Sequence, residues 1–243
     1  MRKIIKSLLL ILFFSVQIQA QHANLSKASA LFSEEKYSAA QALFRQLIVD
    51  DRFNEHANYY NAKCSKELFA SDAIFLYEQF LSAFPYTSFI QQVNEDLALL
   101  YYRDLDYPRA IKYFLQFTSL SQHPDLVFKL AYANFSIDSL VDAQYYFSKL
   151  ISIQSKYSAT AQYYSAYIAY QNGSYKTALN GFMLLITNEH FGSIIPYYIT
   201  QIYFFQQKYS QLIAFISPLL ETVIPSRKVE VNRLLAEAYY RTG

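Results

Sequence analysis

A helical pattern recurs along this chain at intervals of about 34 residues, and it restricts the possible fold more than any other feature. One copy is Leu97–Phe117, "LALLYYRDLDYPRAIKYFLQF". It has a small residue, Ala98, in a first helix and Tyr107 at the start of a second helix. Ala110 follows three residues later, and Phe114 lies four residues beyond it. Helical spacing places these side chains on one face of each helix, so the copy predicts an antiparallel helical hairpin.

The same skeleton returns at five further places. The residues that mark the second helix of each copy are Ala40, Ala73, Ala110, Ala143, Ala178 and Leu212. Their successive separations are 33, 37, 33, 35 and 34 residues. Two antiparallel helices approach closely where a side chain is small, and repeated units of this kind bury their apolar faces by stacking on their neighbours. The spacing therefore predicts an all-α array of six hairpins.

The pattern resembles the tetratricopeptide repeat family, whose units are 34-residue helix-turn-helix hairpins. The resemblance covers about 21–243 and implies an all-α helical-repeat solenoid of antiparallel hairpins. No copy has the Trp that is frequent near the start of the family's first helix, because the chain contains no Trp. The final stretch, Arg233–Gly243, fits the first helix of a seventh unit. We expect the array to be truncated from a longer one; a natural C-terminal capping helix is the alternative.

The first twenty residues have the three parts of a secretory signal peptide. A basic start is followed by the apolar run Ser7–Val16 and by Ala20, a small residue at the expected cleavage site. A membrane anchor is the alternative, but a bilayer span needs about 20 apolar residues. The expected organisation is a signal peptide over 1–20 and a repeat array over 21–243. We expect export to the periplasm or association with the outer membrane, with no transmembrane segment after cleavage.

Charge and composition argue against nucleic-acid binding and against catalysis. The formal net charge of +2 becomes −1 without the first twenty residues, so no nucleic-acid partner is expected. The four His have no metal-ligand spacing, and four Gly leave little room for a phosphate or dinucleotide loop. Cys64 is the lone cysteine and is expected to be a packed thiol. We expect a protein that is not an enzyme and has no metal and no cofactor.

Function in such an array is expected on the surface that the first helices form. In the tetratricopeptide family these helices line the concave face, so the resemblance implies an aromatic groove. The predicted partner-binding residues are Phe128, Tyr132, Phe135, Tyr163, Tyr167, Tyr170, Tyr197, Phe204 and Phe205. Tyr provides stiff contact area with a polar tip, which suits a partner-binding surface. Burial of these rings between units as core is the alternative.

The favoured interpretation is a non-catalytic protein–protein interaction scaffold of the bacterial cell envelope. It would bind a peptide or protein partner along the aromatic groove. A glycan-binding protein of the same repeat class is an alternative, although such proteins usually have a lipid-bearing Cys and many Trp, and this chain has neither. The non-catalytic arm of a larger multidomain protein is a third interpretation.

Overall fold

The computed structural model of the protein describes residues 23–50 and 54–243, apart from the side chain of Asp50. The signal peptide predicted over 1–20 lies outside these ranges. Within them the chain is helical and contains no strand. None of the helices described there combines the length and the apolarity that crossing a bilayer requires.

The first of two compact units ends at Thr118. Its helices are α1 (described over 23–33), α2 (Tyr37–Asp50), α3 (Glu55–Glu67), α4 (Ala73–Ala83), α5 (Ile90–Arg103) and α6 (Tyr107–Phe114). They pair as three consecutive hairpins. Within the unit, α2 packs on α3 and α4 packs on α5, so each hairpin contacts the next one along the chain.

The second compact unit, Ser119–Gly243, contains three hairpins followed by one longer helix. Its helices are α7 (Pro124–Ser136), α8 (Leu140–Ser152), α9 (Ser158–Gln171), α10 (Tyr175–Met183), α11 (Ile195–Phe205), α12 (Tyr209–Ile216) and α13 (Pro225–Thr242). Short 3₁₀ helices cover Leu120–Gln122 and Ser217–Thr222. Because α8 packs on α9, α10 on α11 and α12 on α13, the elements of this unit also stack in sequence order.

The small residues that mark the repeat lie at the centres of the hairpins. The markers of the second helices, Ala40, Ala73, Ala110, Ala143, Ala178 and Leu212, are 0 or 1% exposed. In the fifth hairpin α9 and α10 approach so closely that a Cβ added at Gly181 would lie 2.8 Å from the Ala166 Cβ. Small side chains therefore set the distance between paired helices, as the spacing predicted.

Every turn inside a hairpin has the same backbone geometry in the part of the chain that the structure describes. One residue of each turn has a positive φ, and these residues are Glu35, Phe69, Leu105, Asp138, Gly173 and Gln207. The next amide N–H then donates to the carbonyl five residues earlier, as from Asp106 to Tyr101 at 2.9 Å. This is the Schellman arrangement, which ends an α-helix by satisfying its last carbonyls. The repeat therefore extends to the turns as well as to the helices.

Candidate functional site

Three first helices of the second unit, α7, α9 and α11, hold the nine predicted aromatic residues. We call this set the aromatic surface: Phe128, Tyr132 and Phe135 on α7, Tyr163, Tyr167 and Tyr170 on α9, and Tyr197, Phe204 and Phe205 on α11. Phe205 is exposed, at 52%, and the other eight are half-buried. Part of each ring therefore contributes to packing while the remainder faces solvent.

The rings on α7 form a row that continues onto α9. The ring centroids of Phe128 and Tyr132 are 6.4 Å apart, and those of Tyr132 and Phe135 are 6.3 Å apart. Phe135 then lies 6.0 Å from Tyr167 of α9, in an edge-to-face arrangement. Aromatic pairs attract each other at these separations. The structure therefore brings the predicted residues of α7 and α9 into direct contact.

A second row follows α9 and reaches α11. The Tyr167 ring lies 6.3 Å from Tyr163 on one side and 6.3 Å from Tyr170 on the other. Tyr170 in turn lies 6.4 Å from Phe205 of α11. Seven of the nine predicted rings thus form one continuous series of contacts across three successive first helices.

Phe204 is oriented differently from these seven rings. It packs 5.8 Å from Tyr209 of α12 and against the buried core that includes Leu212 and Ile216. Its centroid is also 6.5 Å from Phe205. Phe204 therefore packs between the two helices of its own hairpin and also contacts Phe205 at the edge of the aromatic surface.

The polar tips of the tyrosines are hydrogen-bonded to neighbouring side chains. The Tyr170 hydroxyl donates to Gln201 Oε1 at 2.8 Å, and Gln201 Nε2 donates to the Tyr197 hydroxyl at 2.9 Å. This amide joins Tyr197 to the rows of rings. The hydroxyls of Tyr163 and Tyr198 are 3.1 Å apart. Such links fix the orientation of the rings on α9 and α11.

Burial raises the pKa of two tyrosines of the aromatic surface. It raises the pKa of Tyr170 to about 12, with neighbouring tyrosines adding to the effect. Burial and the hydrogen bond to Tyr198 raise the pKa of Tyr163 as well. Neither α9 nor α11 contains Lys, Arg, His, Asp or Glu. The aromatic surface is therefore uncharged along both of these helices.

Sequence reasoning missed Tyr164 and Tyr198, which join the aromatic surface to the core. Tyr164 stacks on Phe147 with centroids 5.2 Å apart, and Tyr198 stacks on Phe182 at 5.0 Å. Both of these Phe residues are 0% exposed. Each of the two missed tyrosines directly follows a predicted one in the sequence. Two consecutive Tyr residues were therefore the signal that could have identified them.

The corresponding place in α5 of the first unit holds a carboxylate. Asp96 is 5% exposed and accepts hydrogen bonds from the Tyr77 hydroxyl and from Lys66 Nζ, both at 2.5 Å. Burial and the charge of Asp96 raise the pKa of Tyr77. Burial alone would lower the pKa of Lys66, but the charge and hydrogen bond of Asp96 outweigh it and raise that pKa. At this position α5 therefore contains an ion pair where α9 and α11 of the second unit contain stacked rings.

The described residues hold no grouping of three His, Cys, Asp or Glu side chains that would bind a metal. Cys64 is 0% exposed, and burial raises the pKa of its thiol to about 12. A thiol of this kind is neither accessible nor ionised near neutral pH. Its position in the core of the first unit is that of a packing residue.

No protein-family model and no curated protein sequence matches this chain. Solved structures do match it. A structure of MamA from AMB-1 is 19% identical, with a TM-score of 0.57 over 67% of this chain and 88% of that one. A tetratricopeptide repeat protein from Parabacteroides merdae is 15% identical, with a TM-score of 0.54 over 92% of this chain and 87% of that one.

A chain from the structure of Naa15/Naa10 bound to HypK-THB is 16% identical, with a TM-score of 0.63. The match covers 92% of this chain and 34% of that one. At these identities the similarities show the fold alone. The chain has a tetratricopeptide-like, all-α helical-repeat fold, and the predicted class of antiparallel hairpins is confirmed within each unit.

Proposed function

We propose that this protein is a non-catalytic interaction scaffold that binds a peptide or protein partner on the aromatic surface. The observation behind this proposal is the continuity of seven rings across α7, α9 and α11, each partly open to solvent. Aromatic side chains with a fixed orientation are the usual anchors of protein interfaces. A helical-repeat fold also places its function on the surface that stacked units share.

Two further observations agree with a scaffold. The lone thiol, Cys64, is buried and protonated. The Naa15/Naa10 structure, in which this chain matches 34% of one chain, is itself an assembly of proteins. Both observations agree with a surface that binds a partner.

The proposal also includes a location in the bacterial cell envelope, in the periplasm or associated with the outer membrane. It rests on the signal-peptide pattern of the first twenty residues. N-terminal sequencing of the protein recovered from cell fractions tests it. We expect a mature chain that begins at Gln21 in an envelope fraction, and an intact Met1 in the cytoplasm would contradict the proposed location.

Partner recovery from envelope extract tests the binding surface. Tyr167→Ala removes a half-buried ring from the middle of the aromatic surface, and we expect it to reduce recovery fivefold or more, about 1 kcal/mol at a hot spot. Its melting temperature should stay close to that of the wild type. Tyr145→Ala is the matched control because Tyr145, on α8, is 54% exposed and lies outside the aromatic surface.

Phe205→Ala provides a second variant if Tyr167→Ala fails to fold, because Phe205 is already exposed. Equal partner recovery for Phe205→Ala, Tyr167→Ala and Tyr145→Ala, all of them folded, would show that the partner binds elsewhere. The proposed binding surface would then be wrong.

A further inference from the structure

The aromatic surface has almost no charge of its own. No charged residue occurs on α9 or α11, and on α7 the Lys129 ammonium is paired with the Asp125 carboxylate at 3.9 Å. Arg227 of α13 stacks over the Tyr197 ring at 4.9 Å from its centroid. A negatively charged partner group covering the rings of α9 would lose hydration against their electron-rich faces without gaining an opposite charge, which is unfavourable. The surface therefore suits a partner without acidic side chains.

Two hydroxyl groups of the aromatic surface still have a hydrogen to donate. The Tyr167 hydroxyl accepts from Gln171 Nε2 at 3.3 Å, and the Tyr197 hydroxyl accepts from Gln201 Nε2 at 2.9 Å. Among the described residues neither phenol has an acceptor for its own hydrogen. The carbonyl groups of an extended peptide need donors of this kind, because they have no partner within their own chain.

The spacing of the rings also fits an extended chain. Neighbouring centroids along α7 and along α9 are 6.3 or 6.4 Å apart. In an extended peptide each residue advances about 3.3 Å, so side chains on the same face recur about every 6.6 Å. A segment lying along a first helix would therefore present every second side chain to a successive ring.

We infer that the partner segment bound by the aromatic surface is an extended peptide that lacks acidic residues and whose alternate side chains are apolar. This rests on the proposed function and adds the chemistry of the partner. The apolar side chains pack on the rings, and the Tyr167 and Tyr197 hydroxyls donate to peptide carbonyls. A glycan fits less well because its many hydroxyls need polar partners, and the hydroxyls of Tyr163, Tyr170 and Tyr198 are already bonded within the protein.

A random dodecapeptide library displayed on phage tests this inference with the purified chain. One selection uses the wild type and a parallel one uses Tyr167→Ala. Peptides enriched on the wild type over the variant should contain Asp and Glu at less than half their frequency in the library. Their apolar residues should fall at alternate positions.

The most enriched sequence, synthesised with capped termini, gives the quantitative test. Replacing one central residue by Glu should weaken its binding about tenfold or more, because the negative charge is desolvated without a partner. Tyr167→Phe should weaken binding of the unchanged peptide about fivefold, since it removes one hydrogen bond and keeps the ring.

Three results would overturn the inference: enriched peptides as acidic as the library, no enrichment over Tyr167→Ala, or tighter binding of a neutral oligosaccharide such as cellohexaose than of the selected peptide. Each of these can occur while Tyr167→Ala still loses its envelope partner. Failure of the inferred chemistry is therefore distinguishable from failure of the proposed function.

Discussion

In the first unit α5, and in the second unit α9 and α11, solve the same packing problem with opposite chemistry. Two residues before the small residue of a first helix, the first unit has Asp96 on α5, and the second has Tyr164 on α9 and Tyr198 on α11. The Asp96 carboxylate binds Tyr77 and Lys66 of the preceding hairpin. The two tyrosines stack on buried rings of their preceding hairpins. The repeat therefore fixes where a side chain must make contact, and it leaves the kind of contact open.

The choice at this position is local, because α3 of the first unit uses a ring as well. Tyr60 stacks on the buried Phe44 with centroids 5.4 Å apart. A stacked ring adds buried apolar area, whereas a buried ion pair gains little net free energy once desolvation is included. The ion pair between Lys66 and Asp96 also places Lys66 next to Lys63 on the face of α3. Only the second unit combines stacked contacts with an uncharged aromatic surface on consecutive first helices α9 and α11.

The largest expected effect comes from removing a stacked ring of the second unit. Tyr198→Ala should lower the free energy of unfolding by about 3 kcal/mol, because it leaves a cavity against Phe182 and breaks the bond to the Tyr163 hydroxyl. Urea denaturation followed by circular dichroism measures this change. Phe205→Ala, at an exposed ring, should cost less than about 1 kcal/mol. Equal losses for the two variants would remove the distinction between packing rings and surface rings.

Breaking the ionic contact of the first unit should have a smaller effect. Asp96→Leu should cost about 2 kcal/mol, because the Tyr77 hydroxyl loses its acceptor while Lys66 can still reach solvent. The matched control is Asp104→Leu, which breaks an exposed pair with Arg103 and should cost less than about 1 kcal/mol. Adding Lys66→Met to Asp96→Leu should recover part of the loss. A double variant less stable than Asp96→Leu alone would contradict this account.

Alkaline pH should reveal a further effect, the linkage between folding and the half-buried phenol of Tyr170. The pKa of Tyr170 is raised to about 12 in the folded protein, so between about pH 10 and pH 12 the unfolded chain releases this proton first. Stability contributed by the protonated phenol is complete below pH 10 and is lost as the pH rises through this window.

Melting temperatures of the wild type and Tyr170→Phe, measured from pH 9 to pH 12, test this linkage. The variant should lose less stability over that range than the wild type. Tyr86→Phe, which alters a ring that is 99% exposed, serves as the control. Identical pH profiles for Tyr170→Phe and the wild type would show that Tyr170 does not contribute to the alkaline loss.

The sequence by itself determined the hairpins and the set of aromatic side chains on the first helices. Ala110 and Ala178 are completely buried where the spacing placed them, and Tyr107 is the first residue of α6. These features depend on helical periodicity and on the small volume of one side chain, and both are properties of a short stretch of chain. Six of the nine aromatic residues, those on α7 and α9, follow spacings of three and four residues, which place them on one face of each helix.

Only the tertiary structure decided which of these rings pack and which stay open to a partner. Phe204 turns towards Tyr209, while Phe205, its neighbour in sequence, remains exposed. Tyr198 meets Phe182 sixteen positions earlier, and Asp96 meets Lys66 thirty positions earlier. Helical periodicity gives the direction of a side chain from its own helix, but the contact it makes depends on how the neighbouring hairpin packs against that helix. The partner of each side chain is therefore set by distances between hairpins, which short-range sequence patterns do not encode.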